Sequence, residues 1–395
     1  MNFILFDDRY ADHLLPLTFT RPVADIRIGI LKISEKWKQQ LSGDYSFYTK
    51  DYLRKKYPAN YQAQSTFING AVLPGNGLVE EILALKAGQG LVKDDKLIAR
   101  SVNDSNFDLN QIEFLDGVEV FEVKSDFDLI EFPHQIFNLN GKALEDDFKL
   151  LTKDKVSEPI GSSNQVLGSN RVFLEKGAKV ECAILNANSG PIYIGVDAEI
   201  MEGSIIRGPF AICEHSATKM GTKVYGPTTI GPYSKVGGEL NNVVVFGYSN
   251  KAHDGFLGNA VIGEWCNIGA DTNNSNLKNN YAEVKLWDYV VERFAPTGLQ
   301  FAGLIMGDHS KCGINTMFNT GTVIGVFANI FGAGFPRNFI PSFAWGGAAG
   351  MKEYKLNAAL YVARLVMQRR GIELDEVEKQ ILEHIFELTQ KYRRF

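Results

Sequence analysis

The sequence predicts a chain of two parts. An α/β domain spans residues 1–150, and a parallel β-helix over residues 172–345 is followed by C-terminal α-helices over 346–395, with 151–171 as linker. Three observations carry this reading. Aliphatic side chains recur at every sixth residue, at Ile194, Ile200, Ile206, Ile212, Val224, Ile230 and Val236, and only Thr218 puts a polar group in the series. Short β-rich segments alternate with helical ones in the first 150 residues. Beyond Met351, apolar residues recur three or four apart.

A period of six suits neither a helix nor a long flat strand. It suits a chain that turns a corner every six residues, with one apolar side chain per short strand aimed at an axis. Three such sides close one coil of about 18 residues. Glycine and small residues fill the corners, as in Gly195-Val196-Asp197-Ala198 and Gly231-Pro232-Tyr233-Ser234. The series starts at Val172, Ala178 and Ile184. It returns at Ile262 and Ile268, then at Met306, Cys312, Phe318, Ile324 and Ile330.

In the N-terminal part, Phe3–Phe6, Ser46–Tyr48 and Thr66–Ile68 read as strands, and Ile26–Leu41 and Leu78–Leu85 as helices. Such alternation predicts a parallel sheet. An acidic transition follows, with Leu144–Leu151 as a short helix. Met351–Tyr392 reads as two amphipathic helices broken at Arg370-Gly371.

Composition narrows the partners. A formal net charge of −5 argues against a non-specific nucleic-acid binder. No apolar run is long enough to cross a bilayer, which argues against a membrane span, and the early acidic turn after Met1 argues against a signal peptide. The four cysteines, Cys182, Cys213, Cys266 and Cys312, form no CxxC pair, which predicts a reducing cytoplasm. No metal-ligand spacing occurs.

Leu14–Pro22 and Ile68–Pro74 resemble two segments of the sugar-phosphate nucleotidyltransferases: the one after their glycine-rich loop, and the strand ending in Asn-Gly-Asp. That family cradles a nucleotide triphosphate on glycine amides. Here the loop position is Asp7-Asp8-Arg9-Tyr10-Ala11-Asp12-His13, without glycine. The family's arginine and lysine positions fall on His13 and Val23, and its metal-binding aspartate on Ala71. The resemblance implies a truncated nucleotidyltransferase-like domain, in which Arg9, Arg21 and Arg27 are the candidate nucleotide-binding cations. Mg2+ enters only if that domain is active.

Ser249–Asn259, Ala260–Thr272 and Asn273–Tyr281 resemble the acetyltransferase half of the bifunctional N-acetylglucosamine-1-phosphate uridyltransferase/glucosamine-1-phosphate acetyltransferase family, a hexapeptide-repeat family whose β-helices are left-handed. The resemblance implies His253 as general base and Asn267 as a sugar contact. It implies Asn276 and Ala270 as acetyl-CoA contacts, with Arg337 near the CoA phosphates. Glu239 and Lys223 are further substrate-binding candidates. The chemistry is consistent: the amine must be neutral to attack a thioester, and an imidazole near neutrality can take its proton. Departures are Phe256 and Leu277 where the family has tyrosines, Ile314 for a serine, and Asn241 for a phosphate-binding lysine. The stretch Asn279–Phe301 interrupts the hexads and reads as a hairpin or arm.

The expectation is therefore an acyl-CoA-dependent N-acyltransferase of UDP-N-acetylglucosamine biosynthesis type, acting on an amino-sugar phosphate as a cytoplasmic homotrimer. A bifunctional enzyme that also transfers a nucleotide, and a non-catalytic trimeric scaffold, stay open as alternatives.

Overall fold

The structure is a computed structural model that describes residues 1–104 and 106–395. It divides into two compact units. The first comprises Met1–Leu14, Thr20–Ile26 and Leu31–Glu131; the second comprises Leu15–Phe19, Arg27–Ile30 and Phe132–Phe395.

The first unit is built on a six-stranded sheet in the order Asp44–Tyr48, Asn2–Phe6, Gln64–Asn69, Lys96–Asn103, Gln89–Lys93, Glu119–Glu122. The sheet is mixed, which corrects the expectation of a parallel one. The first three strands run parallel, whereas Lys96–Asn103 is antiparallel to both its neighbours. The reason is local: Gln89–Lys93 and Lys96–Asn103 form a hairpin around Asp94 and Asp95, both with positive φ, where no helical crossover intervenes. Ile4, Phe6, Phe67 and Leu97 fill one core against this sheet.

The predicted helix Ile26–Leu41 is shorter, Ile33–Gln40. Gly29 stops it, with φ at +71°. A Cβ there would lie 2.5 Å from Asp147 Oδ2 and 2.7 Å from the Ala143 carbonyl oxygen, both on helix Pro133–Thr152. That helix is longer than Leu144–Leu151 and packs with the second unit. Its Asn140 and Asp147 side chains accept from the backbone N–H groups of Gly29 and Ile30, at 2.8 and 2.7 Å.

The second unit is a parallel β-solenoid of about 10 turns followed by C-terminal helices. Its first coil strand, Gln165–Leu167, lies within the stretch read as linker and pairs with Ile184–Asn186. The hexad residues from Ile194 onward point inward, whereas at the start of the series Ile184 is exposed and its neighbour Leu185 takes the inward place beside Ile206. Ile194, Ile212 and Ile230 stack in register on one face, and Val180, Ile200, Thr218, Val236, Lys251, Ile268, Cys312 and Ile330 on another. All the aliphatic members are buried. Thr218 keeps its hydroxyl satisfied by Ser204 Oγ at 3.2 Å.

The coils from Ile194 to Val236 keep one length, but the next two, from Val236 to Lys251 and from Lys251 to Ile268, are shorter. There Glu239–Gly247 and Phe256–Glu264 run as single strands across two faces. The corner is turned by one left-handed residue in each, Asn242 and Asn259, with φ of 57° and 46°. A second corner carries His215, Tyr233, Tyr248, Trp265, His309, Phe327 and Phe343, all at positive φ. Their rings stack coil on coil, with centroids 4.3–6.2 Å apart. A non-glycine residue in this conformation costs about 1 kcal/mol, and stacking at about 0.5–1.5 kcal/mol per pair offsets it.

The insert forms an antiparallel hairpin, Lys285–Asp288 with Arg293–Pro296, and its Trp287 stacks on Phe339 at 4.1 Å. At the far end Gly350–Glu353 folds back antiparallel on Ala344–Gly347, so the residues after Met351 start as strand rather than helix. Helices Leu356–Gln368 and Glu376–Leu388 follow, separated at Gly371 (φ +70°), and Phe386 meets the ring of Phe343 edge-on at 4.9 Å. Among the described residues no helix is long and apolar enough to cross a membrane.

Candidate active site

His253 is exposed at the corner that follows the Asn250–Lys251 strand. It lines an open groove of about 510 Å3 that runs over successive coils past Lys219, Met220, Gly238, Asp254 and Ala270. Gly238 (φ +74°) is required there, because a Cβ would lie 2.6 Å from the Gly255 carbonyl oxygen and 2.9 Å from Asp254 Cα.

The groove is anchored from inside by a residue the sequence reading passed over. Lys251 occupies an interior slot between Val236 and Ile268 and is 3% exposed. Its Nζ donates to the carbonyl oxygens of Gly237 (3.2 Å), His253 (2.8 Å) and Asp254 (3.3 Å). Burial pushes its ammonium down from the usual lysine range to about 8, partly opposed by Asp254. A strict hexad continued from Val236 lands on Asp254, whereas the shortened coil brings Lys251 into the slot.

Ala270 joins His253 in the groove, and its carbonyl accepts from the Asn315 N–H at 2.8 Å. Glu239 follows groove-lining Gly238, in register with Lys223 one coil back and Phe256 one coil on. Asn267 faces outward on the next side, in a second cleft that meets the groove at Ala252. Asn276 and Arg337 do not line the groove. Asn276 Nδ2 donates to Asn259 Oδ1 at 2.8 Å, and Asn273 and Asn274 accept from the N–H groups of Phe256 and Gly258. This asparagine tract thus patches the coil where the insert departs. Arg337 is exposed.

In the first unit, the strand Asn2–Phe6 delivers Asp7 and Asp8 to the place of a phosphate cradle. Asp7 accepts from the Val23 N–H and the Thr49 hydroxyl, and Asp8 from the Asn69 amide and the Tyr10 N–H. Desolvation raises both carboxyls, Asp7 to about 6. Arg9 is exposed over the Tyr10 ring, and Arg21 is buried. Arg27 belongs to the second unit. It is buried, with its guanidinium donating to the carbonyl oxygens of Phe246 and Ile30, so it serves packing there rather than an open anion site. Ala71 holds the position of a metal carboxylate, and among the described residues no group of three or more His, Cys, Asp or Glu is placed to hold a metal ion.

The chain is thus an α/β unit followed by a β-solenoid with an exposed corner histidine. Residues 3–156 match the family described as sugar nucleotidyl transferase. The chain is similar to a bifunctional sugar-1-phosphate nucleotidylyltransferase/acetyltransferase of Sulfurisphaera tokodaii, 29% identical over 170 residues. That alignment takes 42% of this chain and spans 40% of the relative's length. Two solved structures overlap loosely. The polySia-specific acetyltransferase NeuO covers 53% of this chain and 98% of its own at 13% identity, with a TM-score of 0.27. Arabidopsis UDP-N-acetylglucosamine acyltransferase covers 54% and 80% at 15% identity, with a TM-score of 0.26. Overlaps of that size leave the chemistry to the chain's own residues.

Proposed function

We propose that the solenoid transfers an acyl group from acyl-CoA, acetyl-CoA first among donors, to the amine of an amino-sugar phosphate such as glucosamine 1-phosphate. The observation that carries this is an exposed imidazole, His253, on an open groove whose backbone Lys251 ties from inside. Kinship with the bifunctional nucleotidylyltransferase/acetyltransferase supports the reaction class.

His253 takes the amine proton as the N–C bond forms and gives it to the sulfur as the thioester C–S bond breaks, so that CoA leaves as the thiol. The carbonyl of Ala270 is already engaged by Asn315, so its N–H is the group assigned to the acyl arm. Glu239 and Lys223, in register beside the groove, are assigned to the sugar phosphate. Asn267 is assigned to the sugar, and Asn276 and Arg337 to the CoA arm. The proposal includes a cytoplasmic homotrimer.

The test is acetyl-CoA-dependent thiol release with glucosamine 1-phosphate and a panel of amino-sugar phosphates. Loss of about a hundredfold or more in His253→Ala is expected of a general base. No thiol release with any acceptor sinks the proposal and leaves the scaffold.

The match of residues 3–156 favours a second reading, nucleotidyl transfer by the first unit. Two carboxylates where a triphosphate would lie weigh against it. Release of pyrophosphate from UTP and a sugar 1-phosphate would establish it.

A further inference from the structure

The outward row of one solenoid face reads Lys235, Asn250, Asn267 and Lys311 in four successive coils, in register. Adjacent strands lie about 4.8 Å apart, so the lysine backbones stand roughly 14 Å apart with two carboxamides between. This row floors a cleft of about 450 Å3. Arg369 and Arg370, just past the helix Leu356–Gln368, form its other wall, and Tyr248 and Trp265 of the ring stack close one side.

Among the described residues, four cations line this cleft and no carboxylate does. Lys311 donates to the His309 carbonyl oxygen at 3.0 Å, and Arg370 to Asn250 Oδ1 at 3.5 Å; neither contact neutralises charge. Burial lowers the Lys311 ammonium from its usual range. Arginines near a helix C-terminus gain from the helix dipole, which accounts for Arg369 and Arg370 but not for two lysines on the solenoid. Like charges gathered in a partly desolvated cleft repel one another until an anion enters. Guanidinium forks and ammonium groups suit phosphate oxygens. A single phosphate cannot meet both ends of the row.

We propose that this cleft is a binding site for a small molecule carrying a diphosphate group, with Lys235, Lys311, Arg369 and Arg370 as its cationic contacts and Asn250 as an amide donor. Diphosphate binding is separable in its readout from the proposed acyl transfer: His253 lies in the neighbouring groove and not in this cleft, so binding is measured without the reaction, and the diphosphate of acyl-CoA is itself of the class the cleft fits.

Binding to the full chain is measured by titration calorimetry with inorganic pyrophosphate, a nucleoside diphosphate and inorganic phosphate. Both diphosphates bind at least tenfold more tightly than phosphate, and more weakly as salt rises. A nucleoside diphosphate tighter than pyrophosphate assigns part of the affinity to the Tyr248 and Trp265 wall; equal affinity assigns it to the diphosphate alone. Lys235→Gln/Arg370→Gln and, separately, Asn250→Asp each lose tenfold or more at unchanged melting temperature, while His253→Ala binds as wild type. Diphosphate binding that is absent at millimolar concentration, unchanged in both cleft variants, or no tighter than phosphate overturns the proposal.

Discussion

A lysine in the interior of a β-solenoid is costly unless its donors are met, and Lys251 meets three carbonyls with three hydrogens. All three carbonyls, of Gly237, His253 and Asp254, belong to residues of the groove wall, so the side chain positions the backbone of the proposed base without touching substrate. In Lys251→Met the charge and its desolvation cost disappear, but three carbonyls lose their donor, at roughly 1–3 kcal/mol for each group left unsatisfied. The expected outcome is a melting temperature that changes modestly and a kcat for acyl transfer that falls about tenfold, with KM less affected. Equal loss of stability and activity would show a packing role only. Steady-state thiol release beside a thermal melt separates the two.

At the scale of the strand and coil, stability rests on one inward side chain per face repeated along the stack. Ile230, fully buried between Ile212 and Val245, is such a residue. Ile230→Ala removes about 2–5 kcal/mol, because rigid neighbouring coils cannot close on the cavity. Urea denaturation followed by circular dichroism would read the loss; a change below about 1 kcal/mol would mean that the stack collapses around the gap. The same repetition made the solenoid legible in sequence, since each coil presents its interior at a fixed spacing. Legibility ended where Asn242 and Asn259 each turn a corner with one residue and the spacing shortens. Lys251 was hidden by that slip. His253, on a corner with a motif around it, was readable. The cleft cations were not, because register gathers Lys235 and Lys311 from coils far apart in the chain and the arginines come from a later helix. In the first unit the short strands were readable, but the reversal of Lys96–Asn103 was not, because residue pattern alone does not carry strand direction.

On the scale of the whole molecule, Asp7 and Lys251 contribute to the dependence of stability on pH from opposite ends, alongside His134, which burial lowers to about 4 and which opposes Asp7 on the acid side. Asp7 titrates near 6 in the folded chain against 3.8 unfolded. Its contribution is therefore fully present below about pH 3.8 and is lost as pH rises through 6, by up to about 3 kcal/mol. Lys251 titrates near 8 against 10.5. The unfolded chain binds the extra proton between those values, so stability rises with pH from about 8 to 10.5 by a similar amount and is lost again as pH falls through 8. Between pH 6 and 8 both groups are charged in both states and neither contributes a slope. Each limb can be removed by itself. Asp7→Asn keeps an acceptor for the Val23 N–H and removes the Asp7 share of the falling limb, so the variant gains on wild type as pH rises from 4 to 6 and keeps that gain at 7. Lys251→Met abolishes the rising limb and leaves the acid side unchanged. Unfolding free energies from urea titrations at half-unit steps from pH 4 to 10.5, for wild type and each variant, give the difference curves. A difference curve for Asp7→Asn that is flat from pH 4 to 6 would mean that the carboxylate is solvated in the folded chain. Asp7 would then be open to a cation at the end of the first strand, and nucleotidyl transfer by the first unit would regain ground.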